Sequence, residues 1–564
     1  MVSAKDQISD LVQDNESAAY IRPICLLILA AFYALIFTGG AIWLTGPLSF
    51  FVLFSTLWIV LLFLPGRKKS LGNGLVMVLM AIPAGLIFGA ARYFLSDGPA
   101  GILMLAGGLL LIGITAYLTG MHKTHKGFIA ALLVSGVWLR LSFVAILPYY
   151  VMCNDVGEFS APYNIFHSGY IQFINFARRL PYLDIREFGE WYHPPYYHYA
   201  ASAVLDIQRF IIPSRSENWE GIRSLTFLCS SLTLFFSYRI TGHLKMTMAG
   251  RKACVALLAF APVFVMQAGN LNNDSMCFMF TTASVALILE WTRSGRYTAL
   301  VTAALAMGLA VGTKLSGAVA APAVLAVILG GCIKDLRNRR YARGITAPLL
   351  YGIISLPLGL WFYVRNYLSF GVPITYVLRP NSDYMYLGDI SFARKLIPDT
   401  IVTVEDCFFR NGLDGTPDHS IPIVLCKTGL FNEAIMRDQM ATAITGYILF
   451  LSFALIMLLA CAGLIFGVFF ALRKDRSLAR AALVLLVLVN VILYLRMNYD
   501  YPYACTMNMR YLLPTCMAGC IAIGDLYGFI ASKNVLSKKI IKALIAVFMA
   551  ATVAFYAGCA VYFV

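Results

Sequence analysis

Apolar runs of about twenty residues recur along almost the whole 564-residue chain, and they limit its fold more than any other feature. A helix needs about 20 apolar residues to cross the hydrocarbon core of a bilayer. In that medium a segment must satisfy its own backbone hydrogen bonds, which leaves helices and closed barrels. Only 13% of the residues are charged and the mean hydropathy is +0.75, whereas a soluble domain averages about 25% charged. The expected class is an all-α integral membrane protein.

The formal net charge of +16 does not point to nucleic acid, because the basic residues sit in short loops between the apolar runs. "GRKKS", "MHKTHKG", "RITGHLKMTMAGRK", "RSGR", "KDLRNRRYAR", "RKDRSLAR" and "KNVLSKKIIK" hold more than half of all Lys and Arg. Such a bias marks cytoplasmic loops. The polar opening "MVSAKDQISDLVQDNESAAY" lacks the basic start of a signal peptide, so "IRPICLLILAAFYALIFTGGAIWL" is expected to be an uncleaved anchor with the N-terminus cytoplasmic. Spans are expected near 21–46, 48–65, 73–94, 100–120, 128–150, 222–242, 253–269, 274–291, 297–312, 315–333, 344–364, 442–470, 479–497, 509–531 and 540–562.

This threading divides the chain into a cytoplasmic tail (1–20), an N-terminal four-helix membrane extension (21–127), a core (128–365) that includes a long exoplasmic loop (151–221), a second exoplasmic loop (366–441) and C-terminal transmembrane helices (442–564). Loops longer than about 12–15 residues are usually functional, and both long loops lie opposite the basic side. No repeat of fixed period is visible, nor the paired interrupted spans of inverted-repeat transporters. The thirteen cysteines show no metal-ligand spacing. Cys153, Cys407, Cys426 and Cys505 fall in exoplasmic segments, where a Cys407–Cys426 bridge is chemically allowed.

Polar residues gather at the exoplasmic ends of the spans: Asn154, Asp155 and Glu158, then Asn272, Asn273 and Asp274, then Lys314, Arg365, Asn366, Asp500 and Arg510. Lys314, Arg365 and Arg510 run against the charge bias. Each alone would suit snorkelling to headgroups, whereas three at one depth favour a shared anion, with Arg offering a planar fork and Lys a point charge. Asp155 and Glu158 share a face if the segment is helical. A carboxylate there suits a general base, a ligand of a divalent cation or a helix cap. "YHPPYYHYAASAVL" reads as a helix start after Pro194 and Pro195. There His193 is either a hydrogen-bond donor to substrate or a cap, and Tyr192, Tyr196 and Tyr197 suit a membrane-interface belt or a sugar-stacking surface.

These motifs in this order resemble the polytopic GT-C glycosyltransferases that use polyprenyl-phosphate sugars, near the protein O-mannosyltransferase-like family and the aminoarabinose transferases of lipid A. The resemblance spans roughly 128–530 and rests on "NDVGEF", "YHPP", "NND", "GLAVGTKLSG", "RNYLSFGVPITY", "KTGLFNE" and "RYLLP". It implies a GT-C-like bundle of about 13–15 transmembrane helices in a bacterial plasma membrane. It also implies transfer of one sugar, with inversion, from a lipid monophosphate carrier to an exoplasmic glycan, lipid or protein. The first-loop acid of the family maps onto Asp155 as base, and Lys314, Arg365 and Arg510 become candidates for the carrier phosphate. Glu158, Tyr192, His193, Asn273 and Asp274 complete the expected substrate-binding set. The protein mannosyltransferases carry an adjacent Asp-Glu pair, whereas Val156 and Gly157 intervene here. No cofactor is required by this chemistry, and a divalent cation is an option. A transporter or flippase of a polyprenyl-linked glycan is the alternative, with Arg140 or Arg496 in its polar route, and a non-catalytic assembly subunit is another.

Overall fold

The computed structural model describes residues 97–562 with breaks at 119, 150–165, 212–218, 245, 381–382, 414, 433–439 and 474–476, together with eight residues between 24 and 35. Asp155 and Glu158, and the expected spans 48–65 and 73–94, lie outside the described residues. What is described is helical, with one isolated bridge between Tyr386 and Tyr503. Among the described residues, nine helices are long and apolar enough to cross a membrane.

The helices follow the hydropathy closely. They are α1 (Pro99–Leu118), α2 (His125–Ile146), α3 (His167–Ala177), α4 (Tyr196–Ile211), α5 (Trp219–His243), α6 (Met248–Phe260), α7 (Pro262–Met266), α8 (Asp274–Ser294), α9 (Tyr297–Val311), α10 (Leu315–Arg337), α11 (Tyr341–Phe370), α12 (Ile421–Phe431), α13 (Met440–Arg473), α14 (Leu478–Asp500), α15 (Leu513–Ile530) and α16 (Val535–Tyr562). Three expected spans that fall within the described residues are not among the nine, for separate reasons. α5 is long, but it carries Glu220, Arg223, Arg239 and a run of Ser and Thr. α9 has only 15 residues, and 253–269 is broken between α6 and α7.

The break has a clear cause. Pro262 has no N–H and disfavours a helical residue before it, and Ala261 is extended (φ −64°, ψ 123°). Carbonyls at the end of α6 therefore lose their helical donors, which hydrocarbon does not tolerate. Arg140 of α2, 1% exposed, supplies donors instead. Its Nη2 donates to the Leu258 carbonyl (3.1 Å), its Nη1 to Ala259 (3.1 Å) and Gly136 (2.9 Å), and its Nε to Ser230 Oγ (2.9 Å). Ser230 in turn donates to the Phe264 carbonyl at 2.7 Å. Arg140, expected as a candidate for a transport route, is thus a plug in a helix break. Arg496 is exposed and pairs with Asp500 at 2.6 Å.

Ion pairs occupy both ends of the bundle. At one end lie Arg239–Glu290 (3.1 Å), Arg343–Asp335 (3.0 Å) and Arg480–Asp525 (2.9 Å). α8 carries Glu290 at this end and Asp274 at the other, about 24 Å away at 1.5 Å per helical residue.

The second loop carries a short helix, as expected of both long loops, but not the bridge that its cysteines allowed. Within 366–441, Ile421–Phe431 is a helix whose residues are nearly all buried, placed against α7 and the turn before α15. Cys407 and Cys426 are buried and unbridged. Cys407 Sγ donates to the Val404 carbonyl (3.2 Å) and Cys426 Sγ faces Met457 Sδ (3.6 Å), so each thiol packs as a small apolar group.

Arg140→Leu is expected to destabilise the full-length protein by about 2–4 kcal/mol, because it strands several buried carbonyls at once. Thermal unfolding in detergent measures this, and a variant as stable as the parent would contradict the plug.

Candidate active site

The broken helix delivers a polar turn between α7 and α8. Ala268 and Gly269 close it with bonds to Val265 (2.9 Å) and Met266 (2.9 Å). Gly269 is needed for space: a Cβ there would lie 2.6 Å from Phe143 Cε1 and 2.8 Å from Arg223 Nη2. Arg223 is fully buried and donates to the carbonyls of Gly269 (3.2 Å) and Leu147 (2.6 Å), with Glu220 Oε2 at 2.7 Å. Glu220 Oε1 accepts the Tyr149 N–H at 2.8 Å. Tyr149 is the last described residue before the segment that holds Asp155.

The stretch "NLNNDS" then starts α8. Asn272 Oδ1 accepts from the Asp274 N–H (3.1 Å), and Ser275 Oγ donates to the Gln267 carbonyl (2.5 Å). Asn273 Nδ2 donates to the Thr313 carbonyl at 3.3 Å, tying this turn to "GTK" after α9. Gly312 in that segment permits close approach of α4, since a Cβ would sit 2.2 Å from Tyr196 Cε2.

Asp274, in the first turn of α8, is where the helix dipole favours an anion. It lies 2.6 Å from Lys314 Nζ and 3.9 Å from Arg510 Nη1. The aromatic face of Tyr511 lies near both cations, 5.8 Å from Lys314 Nζ and 5.1 Å from the Arg510 guanidinium carbon. Burial pulls the Lys314 pKa down, but the facing Asp274 and Tyr511 more than reverse it, so the amine stays above the ordinary lysine range. Arg510 is aimed by the second loop: Thr428 Oγ1 accepts the Met509 N–H (3.0 Å), and Asn508 Oδ1 accepts the Arg510 N–H (3.0 Å). Lys427 of "KTGLFNE" is occupied by both oxygens of Asp418, each at 2.9 Å.

Two of the three out-of-place cations thus converge. Arg365 makes its contacts elsewhere, donating to the Pro181 carbonyl (2.5 Å) and to Asn366 Oδ1 (3.0 Å). No carboxylate among the described residues pairs with it. Tyr192 packs edge-on to Tyr376 of the second loop (5.9 Å) and tilts on His193 (4.1 Å). His193 Nε2 lies 2.9 Å from Glu190 Oε2. Burial, with His167 and His193 beside it, holds the His198 pKa well below the ordinary histidine range.

Asn270 was not singled out from sequence. It is 1% exposed, and neither of its amide atoms has a partner among the described residues. Buried amides are nearly always satisfied, and Asn270 stands in this turn four residues before Asp274. Its signal was the density of Asn in "GNLNND", which by itself reads equally as a turn.

Residues 192–368 match the family described as dolichyl-phosphate-mannose-protein mannosyltransferase, a family of the GT-C superfamily. Over that stretch the chain is GT-C-like. This GT-C-like segment contains Tyr192, His193, Asn273, Asp274, Lys314 and Arg365, together with "YHPP", "NND" and "GLAVGTKLSG", and the likeness is to a membrane glycosyltransferase of the GT-C type. No curated protein matches the chain.

Asp274→Asn alone leaves Lys314 and Arg510 close together without their carboxylate. It is expected to cost about 2–4 kcal/mol, and combining it with Lys314→Met should recover more than about 1 kcal/mol of that loss. Thermal unfolding of the two single variants and the double variant tests the coupling, and strictly additive losses would refute it.

Proposed function

We propose that the chain transfers a single sugar from a polyprenyl-phosphate carrier to a hydroxyl acceptor at the exoplasmic face, with inversion at the anomeric carbon. One observation carries the reading: Lys314, Arg510 and Asp274 meet at one helix end. Two cations and one carboxylate leave a net charge of +1, which a phosphodiester monoanion balances. A lipid-linked phosphate reaches this depth with its chain in the bilayer and its head at the interface. The resemblance of 192–368 to mannosyltransferases of dolichyl-phosphate mannose supports a donor of this kind.

In the proposed step the acceptor oxygen attacks the anomeric carbon while Asp155 takes its proton. Glu158 positions the acceptor. The bond from the sugar to the phosphate oxygen breaks, and the carrier leaves as polyprenyl phosphate. Lys314 and Arg510 stabilise charge on that leaving group, which is the larger share of the work where nucleophile and base are weak, and Arg365 guides the phosphate in. The leaving phosphate needs no proton, so the step needs no cofactor. A transport reading lacks comparable support, because Arg140 is consumed by backbone carbonyls and Arg496 by Asp500.

Comparing the cell envelope by mass spectrometry with and without the protein tests the reading. One missing glycosyl group identifies sugar and acceptor together, and an unchanged envelope argues against transfer. In purified full-length protein with a polyprenyl-phosphate sugar, Asp155→Asn is expected to lower transfer by about 10²–10⁴-fold while donor binding persists. Unchanged transfer would remove Asp155 as base. Arg510→Met should raise the donor KM about tenfold, in keeping with loss of one charge-assisted contact.

A further inference from the structure

Three side chains from α3 and the turn before α4 meet within the first loop. His167 opens α3, Glu190 sits in the 3-10 turn Gly189–Tyr192, and His193 precedes Pro194 and the start of α4. A 3-10 turn has about three residues per turn, so Glu190 and His193 emerge on one side of it. One donor atom from each of the three residues lies within 4.8 Å of the others. His167 and His193 are 2% and 5% exposed, with nearly parallel rings 5.6 Å apart. We propose that His167, Glu190 and His193 bind one zinc-class divalent cation, with water completing a tetrahedral set.

The donor chemistry selects the metal. Two imidazole nitrogens and one carboxylate suit zinc and its transition-metal neighbours, whereas calcium and magnesium take oxygen ligands. An outer partner is already in place, since His167 Nδ1 lies 3.0 Å from His198 Nε2. With His167 Nε2 on the metal, Nδ1–H donates to His198, and such a contact fixes the tautomer and ring orientation of a ligating histidine. Around the set, Tyr170 stacks on Trp191 (5.1 Å) and lies tilted against His198 (4.3 Å), and Phe188 stacks on Trp191 (5.0 Å).

The outer part of the loop has a use for the metal. Ile171, Tyr197, Ala201 and Leu205 pack with Ile222, Cys229 and Met276 of the bundle, whereas Tyr170, Ile174 and Trp191 form a small separate cluster, and small apolar clusters gain most from a staple. The cation would join α3, the 3-10 turn and the start of α4. α4 is fixed to α11 through Tyr196, whose hydroxyl donates to the Leu358 carbonyl (2.9 Å) and accepts from Trp361 Nε1 (2.8 Å). The metal would therefore hold the loop in place on the bundle. His167 and Glu190 precede the GT-C-like segment, which begins at residue 192, so the family match does not bring this site with it.

The test uses full-length protein in detergent, stripped with EDTA and then dialysed against Zn²⁺, Mg²⁺ or Ca²⁺ in turn. Elemental analysis should find about one zinc per chain, with a saturable rise in melting temperature for Zn²⁺ alone. Glu190→Gln and His167→Ala should reduce bound zinc to background. His193→Cys, which exchanges one zinc ligand for another, should retain it. His198→Phe should keep the stoichiometry and weaken affinity about 10–100-fold, as loss of an outer partner does. The parent protein alone decides the matter if a variant does not fold. Failure of the stripped parent to take up zinc, an equal response to Mg²⁺, or undiminished zinc in Glu190→Gln and His167→Ala would each overturn the site. None of these readouts depends on sugar transfer.

Discussion

A proline inside a membrane helix strands carbonyls that lipid cannot satisfy, and much of this molecule is organised around that constraint. Pro262 ends α6 early, and the guanidinium of Arg140 takes up the carbonyls of Leu258 and Ala259. Arginine suits this task because its planar fork presents several donors at fixed angles and stays charged when buried. Ser230 extends the repair to the Phe264 carbonyl, so α2, α5, α6 and α7 meet at one buried hydrogen-bonded node.

The same break opens the polar turn at the N-terminal end of α8. An unbroken helix through 253–269 would carry the chain past the bundle end, and the turn Gln267–Asn273 would be lost. With the break, Arg223 and Glu220 anchor the turn and also fix Tyr149 at the end of α2. The turn presents Asn270 and starts α8 at Asp274, where Lys314 arrives from "GTK" and Arg510 from a strap held by Thr428 and Asn508. Three separate stretches of sequence supply one charged cluster. Each is positioned by backbone hydrogen bonds more than by its own packing.

Much of this was legible in the chain, and the illegible part has a common cause. Helix positions between 97 and 562 follow hydropathy to within a few residues, because burial in lipid acts on every run independently. Lys314 and Arg510 stood out because cations opposite the basic side of a membrane protein need a reason. Arg140 had a place only in the alternative transport reading, since sequence does not reveal which carbonyls a distant proline will free. Asn270 was passed over, and Arg365 was expected beside Lys314 and Arg510, whereas its described contacts are to Pro181 and Asn366. His193 was noticed, but its neighbours His167 and Glu190 were not, because contacts between a helix start, a 3-10 turn and a Pro-Pro segment have no period to detect.

Hydropathy and the placement of Lys and Arg by themselves determined an all-α membrane protein and, among the described residues, the order of its long apolar helices. They suffice because solvation by lipid or water is felt residue by residue. Tertiary structure alone decided that Asp274 joins Lys314 to Arg510, that Arg140 is a plug, that 421–431 is a buried helix, and that two histidines and a glutamate face one another within the first loop. Each of these depends on hydrogen-bond and ion-pair distances of about 3–4 Å between residues far apart in the chain, and only the packed bundle sets those distances.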